Sequence, residues 1–543
     1  MKSRISFFNG TVLKKDITRF APVWALHTVF LLLSIFSIFS ASKLLASISA
    51  NNELTYVFSK IGSGLPLFLG FLCATLLFGD LFKGRICNAL HAMPLRRETW
   101  FATHYLAGLL FFIVPTTLAA LVMLPMLKSN AFIALLWWLI QVGSYLLFFS
   151  LAVCCAMCVG SRVGHATVFL LIAFLPVLAY GIYRIIYESF LYGIRSDGTL
   201  AAMLSPGASF LDTDFFDWGT TTYGTSSYLY HGINPDGWIR LGCWVAVSFL
   251  LVFAALWLYK RRRLEWAGDF VNYEILRWIL LVLGSFYAAI IIPVAGFIVG
   301  FFGLSMLLER TVKVFHKRNW IRFGILAGAA IITLGLTYLD PLDIVTTIPH
   351  PSKIESVSVG SSYGYDATLL ENPQDIQSAI NLHEYALEER DIEDVEWAYS
   401  YSYSLTYNLK SGRKVNRVYW VDMRSTPVQE LKKSLSSFEV LFGTDDLEAL
   451  RRSIYSIQVN LNNEKQGTTP LYQWEQIPSD QFDKLFEAIL EDCENGLLTQ
   501  DPGLHPSSPY SYDQLRIWYY GEAGDGSIDL NIYMGSKTYM LLK

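Results

Sequence analysis

Charged residues are scarce in this chain of 543 residues, and the motif of the commonest ATP-binding loop is missing. Lys, Arg, Asp and Glu together make up 16 % of the sequence, whereas apolar residues make up 53 %. This composition is typical of a membrane protein rather than a soluble one. No Gly-x-x-x-x-Gly-Lys-Ser/Thr segment occurs, which excludes ATP binding through a P-loop.

Patterns for other catalytic chemistry are missing as well. His383-Glu384 begins like the helix of a zinc protease, but Leu387 occupies the place of the second histidine ligand. We therefore interpret His383 and Glu384 as a surface pair. No Gly-x-Ser-x-Gly elbow and no EF-hand spacing occur. The sequence predicts a chain that is not an enzyme and has no catalytic residues, metal ligands or cofactor-binding residues of its own.

The net charge of −4 conceals two halves of opposite sign. Residues 1–340 carry 26 Lys and Arg against 15 Asp and Glu, whereas residues 341–543 carry 16 against 31. The acidic half contains a single cysteine, Cys493, so it has no internal disulfide and depends on an apolar core. A basic membrane half and an acidic soluble half predict two domains.

Long apolar runs fill the basic half. At about 1.5 Å of rise per residue, helices formed by these runs can cross a hydrocarbon layer of about 30 Å. We predict a six-span core within residues 21–260 and about three additional spans within 261–340, about nine in all. The predicted spans are approximately 23–45, 65–81, 105–127, 132–159, 166–189, 241–259, two short helices within 275–308, and 321–339.

The basic residues between the spans predict the orientation of the chain. The segments assigned to the inner side carry twenty Lys and Arg, whereas the short outer loops carry four. Since cytoplasmic loops are enriched in Lys and Arg, we expect a cytoplasmic N-terminus. An odd number of spans then places the acidic tail outside the cell. Residues 1–20 combine lysines and arginines with Phe7, Phe8, Val12 and Leu13, which predicts an interfacial helix on the cytoplasmic surface.

Residues 341–543 have the pattern of a soluble α/β (α+β) domain. We predict helices over about 375–389, 426–441 and 480–495, from apolar stripes at helical spacing. Alternating apolar residues predict strands at 401–409, 415–421, 454–461, 515–520 and 528–533, the first two joined by a turn at Ser411-Gly412. No internal repeat is evident.

Polar residues inside the spans are rare, which argues against a proton-driven pump and for an energy source outside this chain. Gln141 and Ser144 are candidates for a pathway lining, although small polar residues in spans more often join helices. The outer loop 190–238 is rich in aromatic residues and aspartates. Phe215, Phe216 and Trp218 in this loop are candidates for a gate, and packing at the membrane interface is the alternative.

The segment Gly79–Trp100, GDLFKGRICNALHAMPLRRETW, connects two predicted spans on the inner side. Ile86, Leu90 and Met93 recur at spacings of four and three, which predicts a short amphipathic helix that ends before Pro94. A solvated loop that merely obeys the charge rule is the alternative interpretation.

These features together resemble the permease subunit of type-2, export-class bacterial ABC transporters. The similarity lies in the basic N-terminal helix, the six spans and the loop LFKGRICNALHAMPLRRETWFATHYLAG. The segment Lys260-Arg-Arg-Arg-Leu-Glu-Trp-Ala-Gly268 is similar to a subgroup from Gram-positive bacteria. Members of that subgroup have extra spans, an extracytoplasmic C-terminal domain and a separately encoded ATPase.

The resemblance implies a function and a set of contacts. The loop 80–103 would form a coupling helix that docks on a separate ATP-binding subunit, so that ATP is bound by the partner. By analogy, the candidate contacts are Leu90, His91, Met93, Pro94, Arg96 and Arg97. The chain would lie in the bacterial plasma membrane, pair with a second permease copy or a paralogue, bind no nucleic acid, and export a hydrophobic or peptide-like substrate. The alternative is a non-transporting membrane sensor whose outer domain binds a ligand, although no cytoplasmic signalling module is present.

Overall fold

The computed structural model describes residues 8–542 with internal gaps. The gaps are 45–49, 92–95, 128–130, 196–197, 212–213, 222–226, 342, 362–366, 390–399, 443–446, 461–474, 499–513, 522–523 and 533–535. The chain forms two compact units. Unit 1 comprises Met1–Tyr183 and Gly198–Ala330, and unit 2 comprises Arg184–Asp197 and Ile331–Lys543.

The described residues up to Leu339 are mostly helical. The helices are α1 Gly10–Arg19, α2 Ala21–Leu44, α3 Ala50–Lys60, α4 Leu65–Leu77, α5 Gly84–His91, α6 Arg97–Met123, α7 Phe132–Cys158, α8 Arg162–Phe190, α9 Thr199–Leu204, α10 Pro206–Leu211, α11 Pro235–Arg261, α12 Glu274–Ile291, α13 Pro293–Glu309 and α14 Lys317–Leu339. Within the described residues, eight helical segments are long and apolar enough to cross a membrane. They begin at Ala21, Thr55, Arg97, Phe132, Arg162, Pro235, Glu274 and Lys317. The chain therefore has the architecture of a polytopic helical membrane protein.

The helical segments 50–77 and 274–309 each contain a break. Residues 61–64 form a turn that separates α3 from α4, because Gly62 adopts a left-handed conformation (φ +68°). Residues 275–308 form two helices, as predicted, and they separate at Pro293. With 17 residues, α13 rises only about 25 Å, slightly less than the hydrocarbon layer.

Helix α7 is the centre of unit 1. Most of its residues are buried, and it packs against α4, α6 and α11. Close approach to α4 is possible at Gly70, where a Cβ would lie 2.9 Å from the backbone nitrogen of Phe149. The helices around α7 therefore form one packed bundle rather than separate hairpins.

The aromatic loop between α8 and α11, for which the sequence predicted a gate or packing at the membrane interface, contains helices and strands. Two short helices, α9 and α10, are followed by strands β1 (Phe216–Thr221) and β2 (Ser227–Ile233). The strands pair antiparallel with a bulge between Asp217 and Trp218. Alternating aromatic residues are typical of such a hairpin. Because aromatic residues occur throughout this loop, the alternation within the two strands is hard to recognise in the sequence.

Unit 2 contains two antiparallel sheets of four strands. The strands are β3 Ile354–Ser361, β4 Thr368–Leu370, β5 Ser400–Leu409, β6 Lys414–Asp422, β7 Ile454–Asn460, β8 Glu475–Gln476, β9 Gln514–Gly521 and β10 Gly524–Asn531. The helices are α15 Pro373–Glu388, α16 Thr426–Leu435, α17 Phe438–Phe442, α18 Leu447–Ser453, α19 Phe482–Glu494 and α20 Lys537–Leu542. One sheet has the order β4-β3-β5-β6 and the other β10-β9-β7-β8.

These elements form two lobes with the same topology, so the expectation of no internal repeat was wrong. Lobe 1 runs β3-β4-α15-β5-β6-α16, and lobe 2 runs β7-β8-α19-β9-β10-α20. The strand registers also agree: Val357 pairs with Tyr407 in lobe 1, and Ile457 pairs with Ile517 in lobe 2. Each first strand has its irregularity at the same place, after Ile354 and after Ile454.

Residues 184–195 pack with lobe 1 in unit 2. Ile194 forms an isolated bridge with Arg417, and Val418 donates its N–H to the carbonyl of Gly193 over 2.8 Å. Gly193 has φ +71°, and a Cβ there would lie 1.9 Å from the ring of Tyr419. Only glycine fits this combination of backbone conformation and contact.

Candidate functional site

The structure brings four of the five predicted pathway residues to one cavity in unit 1. The cavity has a volume of about 190 Å³. Gln141 and Ser144 line it from α7. Phe215, just before β1, and Phe216, the first residue of β1, line it from the other side. The other lining residues are Ser59, Lys60, Ser63, Ile140, Phe210, Leu211 and Asp214. Residues predicted separately from two regions of the sequence therefore form one site.

The break between α3 and α4 explains why Gln141 is there. The carbonyl of Ile61 lies at this break and accepts the indole N–H of Trp137 at 2.9 Å and the amide of Gln141 at 3.2 Å. An interrupted span leaves carbonyls that need partners where water is absent. The two α7 side chains supply those partners, so Gln141 both stabilises the break and lines the cavity.

An ion pair lies at the cavity. The Lys60 Nζ is 2.5 Å from Asp214 Oδ1 and lies over the ring of Tyr56, 5.7 Å from its centroid. Both charged side chains are partly exposed. The pair joins the end of α3 to the segment before β1.

Trp218, the fifth predicted residue, is outside the cavity lining. Its ring contacts Tyr56, Phe216 and Tyr230, with centroid distances of 5.2, 6.0 and 5.6 Å. Trp218 therefore supports Phe216 from behind, and its own ring does not reach the cavity.

A second candidate site lies at the other end of the bundle. We call it the basic end and define it as α1 and residues 79–91, 96–97, 158–164 and 260–273. Gln141 and Cys158 are separated by 17 residues of α7, or about 25 Å along the helix axis. The predicted amphipathic helix in the loop 80–103 is present as α5. Cys87 is its buried residue, whereas Arg85 and Ile86 are exposed.

Arg262 connects α5 to the rest of the basic end. Its guanidinium donates to the carbonyls of Ala156 at 2.7 Å, Met157 at 3.1 Å and Leu81 at 3.2 Å. The side chain is buried. Three chain segments are thereby joined: the last turn of α7, the turn preceding α5, and the residue that follows α11.

Residues 264–273 continue this connection. Gly268 donates to the carbonyl of Gly160, and Gly160 donates to Asp269, over 2.7 and 2.9 Å. A Cβ on Gly160 would lie 1.8 Å from the carbonyl oxygen of Trp266. The backbone of the α7–α8 loop therefore fits directly against the segment that follows α11.

The predicted contact residues of the coupling loop have different environments. Arg96 is exposed, whereas Arg97 donates to the carbonyl of Lys260 at 3.0 Å at the end of α11. Leu90 and His91 belong to the backbone of α5, and their side chains lie outside the described residues. Met93 and Pro94 lie outside the described residues altogether.

The N-terminal helix is joined to the bundle by polar contacts. The N–H of Asn9, the residue before α1, donates to the hydroxyl of Thr103 of α6 at 3.0 Å. Asp16 of α1 is buried, and its Oδ2 lies 3.5 Å from His104 Nδ1 of α6 without forming a hydrogen bond. Burial is the main cause that raises the pKa of Asp16, to about 6. Arg19 lies 3.6 Å from Asp80 in the turn before α5. Helix α1 therefore contacts both α6 and the turn before α5.

His383 is not a surface residue, so that prediction was wrong. It is fully buried in lobe 1, with Nδ1 3.0 Å from the Tyr407 hydroxyl and Nε2 2.8 Å from the Tyr419 hydroxyl. Burial, assisted by the Arg417 guanidinium, lowers the pKa of His383 to about 4. A neutral imidazole has one donor and one acceptor, so one hydroxyl donates and the other accepts.

Sequence reasoning missed Lys60, Asp214 and Arg262. Lys60 and Asp214 are 154 positions apart, and no local pattern links them. The segment Ile61-Gly-Ser-Gly-Leu65 was an available signal for a helix break. Arg262 belongs to a run of four basic residues, and nothing in that run distinguishes the buried one.

Comparisons with protein-family models, with characterised proteins and with solved structures found no match to this chain. A function for the chain is therefore argued from its own residues and geometry.

Proposed function

We propose that this chain is the permease subunit of an ABC transporter, with the ATP bound and hydrolysed by a separate subunit docked on α5. The bundle, paired with a second copy or a paralogue, would form the path for a hydrophobic or peptide-like substrate. The chain would lie in the plasma membrane with the basic end in the cytoplasm and unit 2 outside.

The observation that carries this proposal is the attachment of α5 through Arg262. A docking helix transmits force only if its base is fixed to the elements that must move. The guanidinium of Arg262 joins the turn before α5 to α7 and to the end of α11. A displacement of α5 would therefore reach the two helices that pack most closely at the centre of the bundle.

The exposed face of α5 supports docking of a partner. Arg85 and Ile86 are exposed, and Arg96 is exposed just beyond the loop. Apolar and basic side chains side by side suit an interface with a partner of complementary charge. The cavity at the opposite end of α7 supports a binding site for the substrate.

Assembly with the ATP-binding subunit tests the proposal. We would co-express the chain with a candidate ABC ATP-binding subunit from the same organism, purify the complex in detergent, and measure ATP turnover. The variant Ile86→Asp with Arg96→Glu should lose most of the captured ATPase, because both changes oppose an apolar, acidic-rimmed surface. Lys313→Glu is the matched control, since Lys313 is an exposed basic residue outside α5.

The outcomes separate transport from sensing. Capture by wild type and by Lys313→Glu, with loss in the α5 variant, supports the permease. If wild type captures no ATPase, or if the α5 variant captures as much as wild type, the proposal fails and the sensor interpretation takes its place.

A further inference from the structure

The hydrogen-bond donors at the cavity are largely used by the backbone. Ser59 donates its hydroxyl to the carbonyl of Tyr56 at 2.6 Å, and Ser144 donates to Ile140 at 2.6 Å. Gln141 uses one amide hydrogen on Ile61. A hydroxyl that has donated its hydrogen offers only lone pairs. These side chains therefore present mainly acceptor oxygens to a ligand.

Asp214 adds a negative charge to this set of acceptors. Its carboxylate lies 2.5 Å from the Lys60 ammonium, which also lies over the Tyr56 ring. A carboxylate beside an aromatic face is an arrangement that recognises a cation. Lys60 thus marks the position that a cationic ligand would take.

The Lys60–Asp214 pair is open to exchange. The Lys60 side chain is 46 % exposed and that of Asp214 is 65 % exposed. Ion pairs at such exposure contribute little to stability. A ligand cation can therefore replace the Lys60 ammonium while Lys60 turns into solvent.

The remaining wall of the cavity is aromatic. The rings of Phe210 and Phe215 stack with centroids 6.2 Å apart, and Phe216 is buried beside them. A cavity of about 190 Å³ is comparable in size to an apolar cavity of about 150 Å³ that binds benzene. It accepts one small apolar group rather than a whole peptide or lipid.

We infer that this cavity binds an organic cation, a protonated amine carried next to a small apolar or aromatic group. The ammonium pairs with Asp214, the neighbouring hydroxyl and amide oxygens accept its remaining hydrogens, and the apolar group lies against Phe210, Phe215 and Phe216. The α-amino end of a peptide-like molecule has this chemistry. The inference rests on the proposed transport function only where the bound cation is taken as the substrate.

Two ring compounds of opposite charge test the inference. The full-length chain, purified in detergent without any ATPase, is titrated by calorimetry with phenethylammonium and with 3-phenylpropionate. Wild type should bind the cation and not the anion. Asp214→Asn should weaken binding about two- to fivefold, because the contact of the ligand ammonium with a solvent-exposed carboxylate is lost. Lys60→Gln should tighten it severalfold, because the competing ammonium is removed.

A neighbouring acid serves as the control. Asp217 is exposed on β1 and outside the cavity lining, so Asp217→Asn should leave the affinity unchanged. Thermal unfolding of each variant checks that it is folded. A variant that melts like wild type and has the expected change in affinity supports the site.

Three results would overturn the inference: preferred binding of 3-phenylpropionate, weaker binding of the cation by Lys60→Gln, or no binding of phenethylammonium by folded wild type. These titrations contain no ATP-binding subunit. Binding of the cation can therefore be absent while the ATPase is captured, and the cation can bind while no ATPase is captured. The two proposals are thus tested separately.

Discussion

In lobe 1 of the C-terminal unit, His383 lies between the hydroxyls of Tyr407 and Tyr419, whereas lobe 2 has isoleucines at the three matching positions. Tyr407 corresponds to Ile517, because both pair with the matching residue of the first strand. The pair Ser404–Val418 of lobe 1 is equivalent to the pair Gln514–Asn531 of lobe 2. The next residues along the chain, Tyr419 and Ile532, therefore correspond as well. His383 corresponds to Ile489, as the buried positions of α15 and α19 agree when aligned.

This difference separates what the topology requires from what lobe 1 adds. Ile489, Ile517 and Ile532 are all fully buried, so lobe 2 holds the same strand order and register with an apolar core. The fold alone therefore does not require the histidine and tyrosines. A buried polar cluster stabilises a core only when every member has a partner, and it is costly when one is removed.

Lobe 2 has its own polar contact at a different place. Asp492 of α19 is buried and accepts hydrogen bonds from the backbone N–H groups of Lys537 and Thr538, at 2.9 and 2.7 Å, and from the Thr538 hydroxyl at 2.5 Å. These contacts attach the first turn of α20 to α19. The equivalent residue in lobe 1 is Ala386, also buried. Each lobe thus has a buried polar residue on its equivalent helix. His383 of α15 contacts two strands, whereas Asp492 of α19 contacts α20.

The largest expected effect comes from placing the lobe 1 residue in lobe 2. Ile489→His puts an imidazole among isoleucines that offer it no hydrogen bond. We expect a loss of about 3–5 kcal/mol in the stability of lobe 2, from lost packing and an unpartnered polar group. Hydrogen exchange of the β9 and β10 peptides measures this loss, with the β5 and β6 peptides as internal reference.

Ile489→Leu is the control for that substitution. It keeps the volume and polarity of the side chain, and we expect a change of less than about 1.5 kcal/mol. If Ile489→His were no more disruptive than Ile489→Leu, the two lobes would tolerate the same chemistry, and the contrast drawn between their cores would be wrong.

Acid should affect lobe 1 through His383. The pKa of this histidine falls from 6.5 in the unfolded chain to about 4 in the fold. Between these values the unfolded chain binds a proton that the folded lobe excludes, so stability decreases as the pH falls from 6.5 to 4. The loss approaches about 3 kcal/mol at the lower limit. Well above pH 6.5, His383 is neutral in both the folded and the unfolded chain, so it causes no change of stability with pH.

The measurement is the pH dependence of hydrogen exchange in β5 and β6, compared with β9 and β10 in the same sample. Carboxylates in both lobes also titrate near pH 4, so the informative quantity is the difference between the lobes. An equal loss in the two lobes between pH 6.5 and 5 would contradict the assignment to His383.

The helices were predictable from the sequence because apolar run length and helix length are directly related. The same reasoning found Gln141 and Ser144, since polar residues are conspicuous in an apolar run. It could not find Lys60 and Asp214, whose pairing depends on how α3 meets the segment before β1. Nor could it find the burial of His383, because that depends on strands 24 and 36 residues away.

The repeat escaped sequence reasoning for a related reason. Its clearest trace is Ile354-Glu-Ser-Val-Ser-Val359 beside Ile454-Tyr-Ser-Ile-Gln-Val459, six residues at matching positions of β3 and β7. Elsewhere the lobes share only polarity and pairing, and the connections differ in length. Matching strand registers can be recognised only when the partner strands are known.

The smallest effect is expected when all three polar residues of lobe 1 are made apolar together. Tyr407→Phe alone removes one partner of His383 and should cost about 1–3 kcal/mol, because the imidazole loses a hydrogen bond while buried. The triple variant His383→Leu, Tyr407→Phe and Tyr419→Phe removes the three groups that bond to one another and keeps most of the volume, while Arg417 keeps its hydrogen bond to the carbonyl of Ile344. We expect it to lie within about 1 kcal/mol of wild type at pH 7.

The triple variant also removes the acid sensitivity assigned to His383. The β5 and β6 peptides of the variant should follow the pH dependence of β9 and β10, because the described core of lobe 2 contains no histidine. If the triple variant were less stable than the single one, the cluster would contribute more than its mutual hydrogen bonds. The hydrogen bond between the Tyr419 hydroxyl and the buried Arg417 guanidinium would then be the first to examine, because Tyr419→Phe removes the hydroxyl and leaves the guanidinium in place.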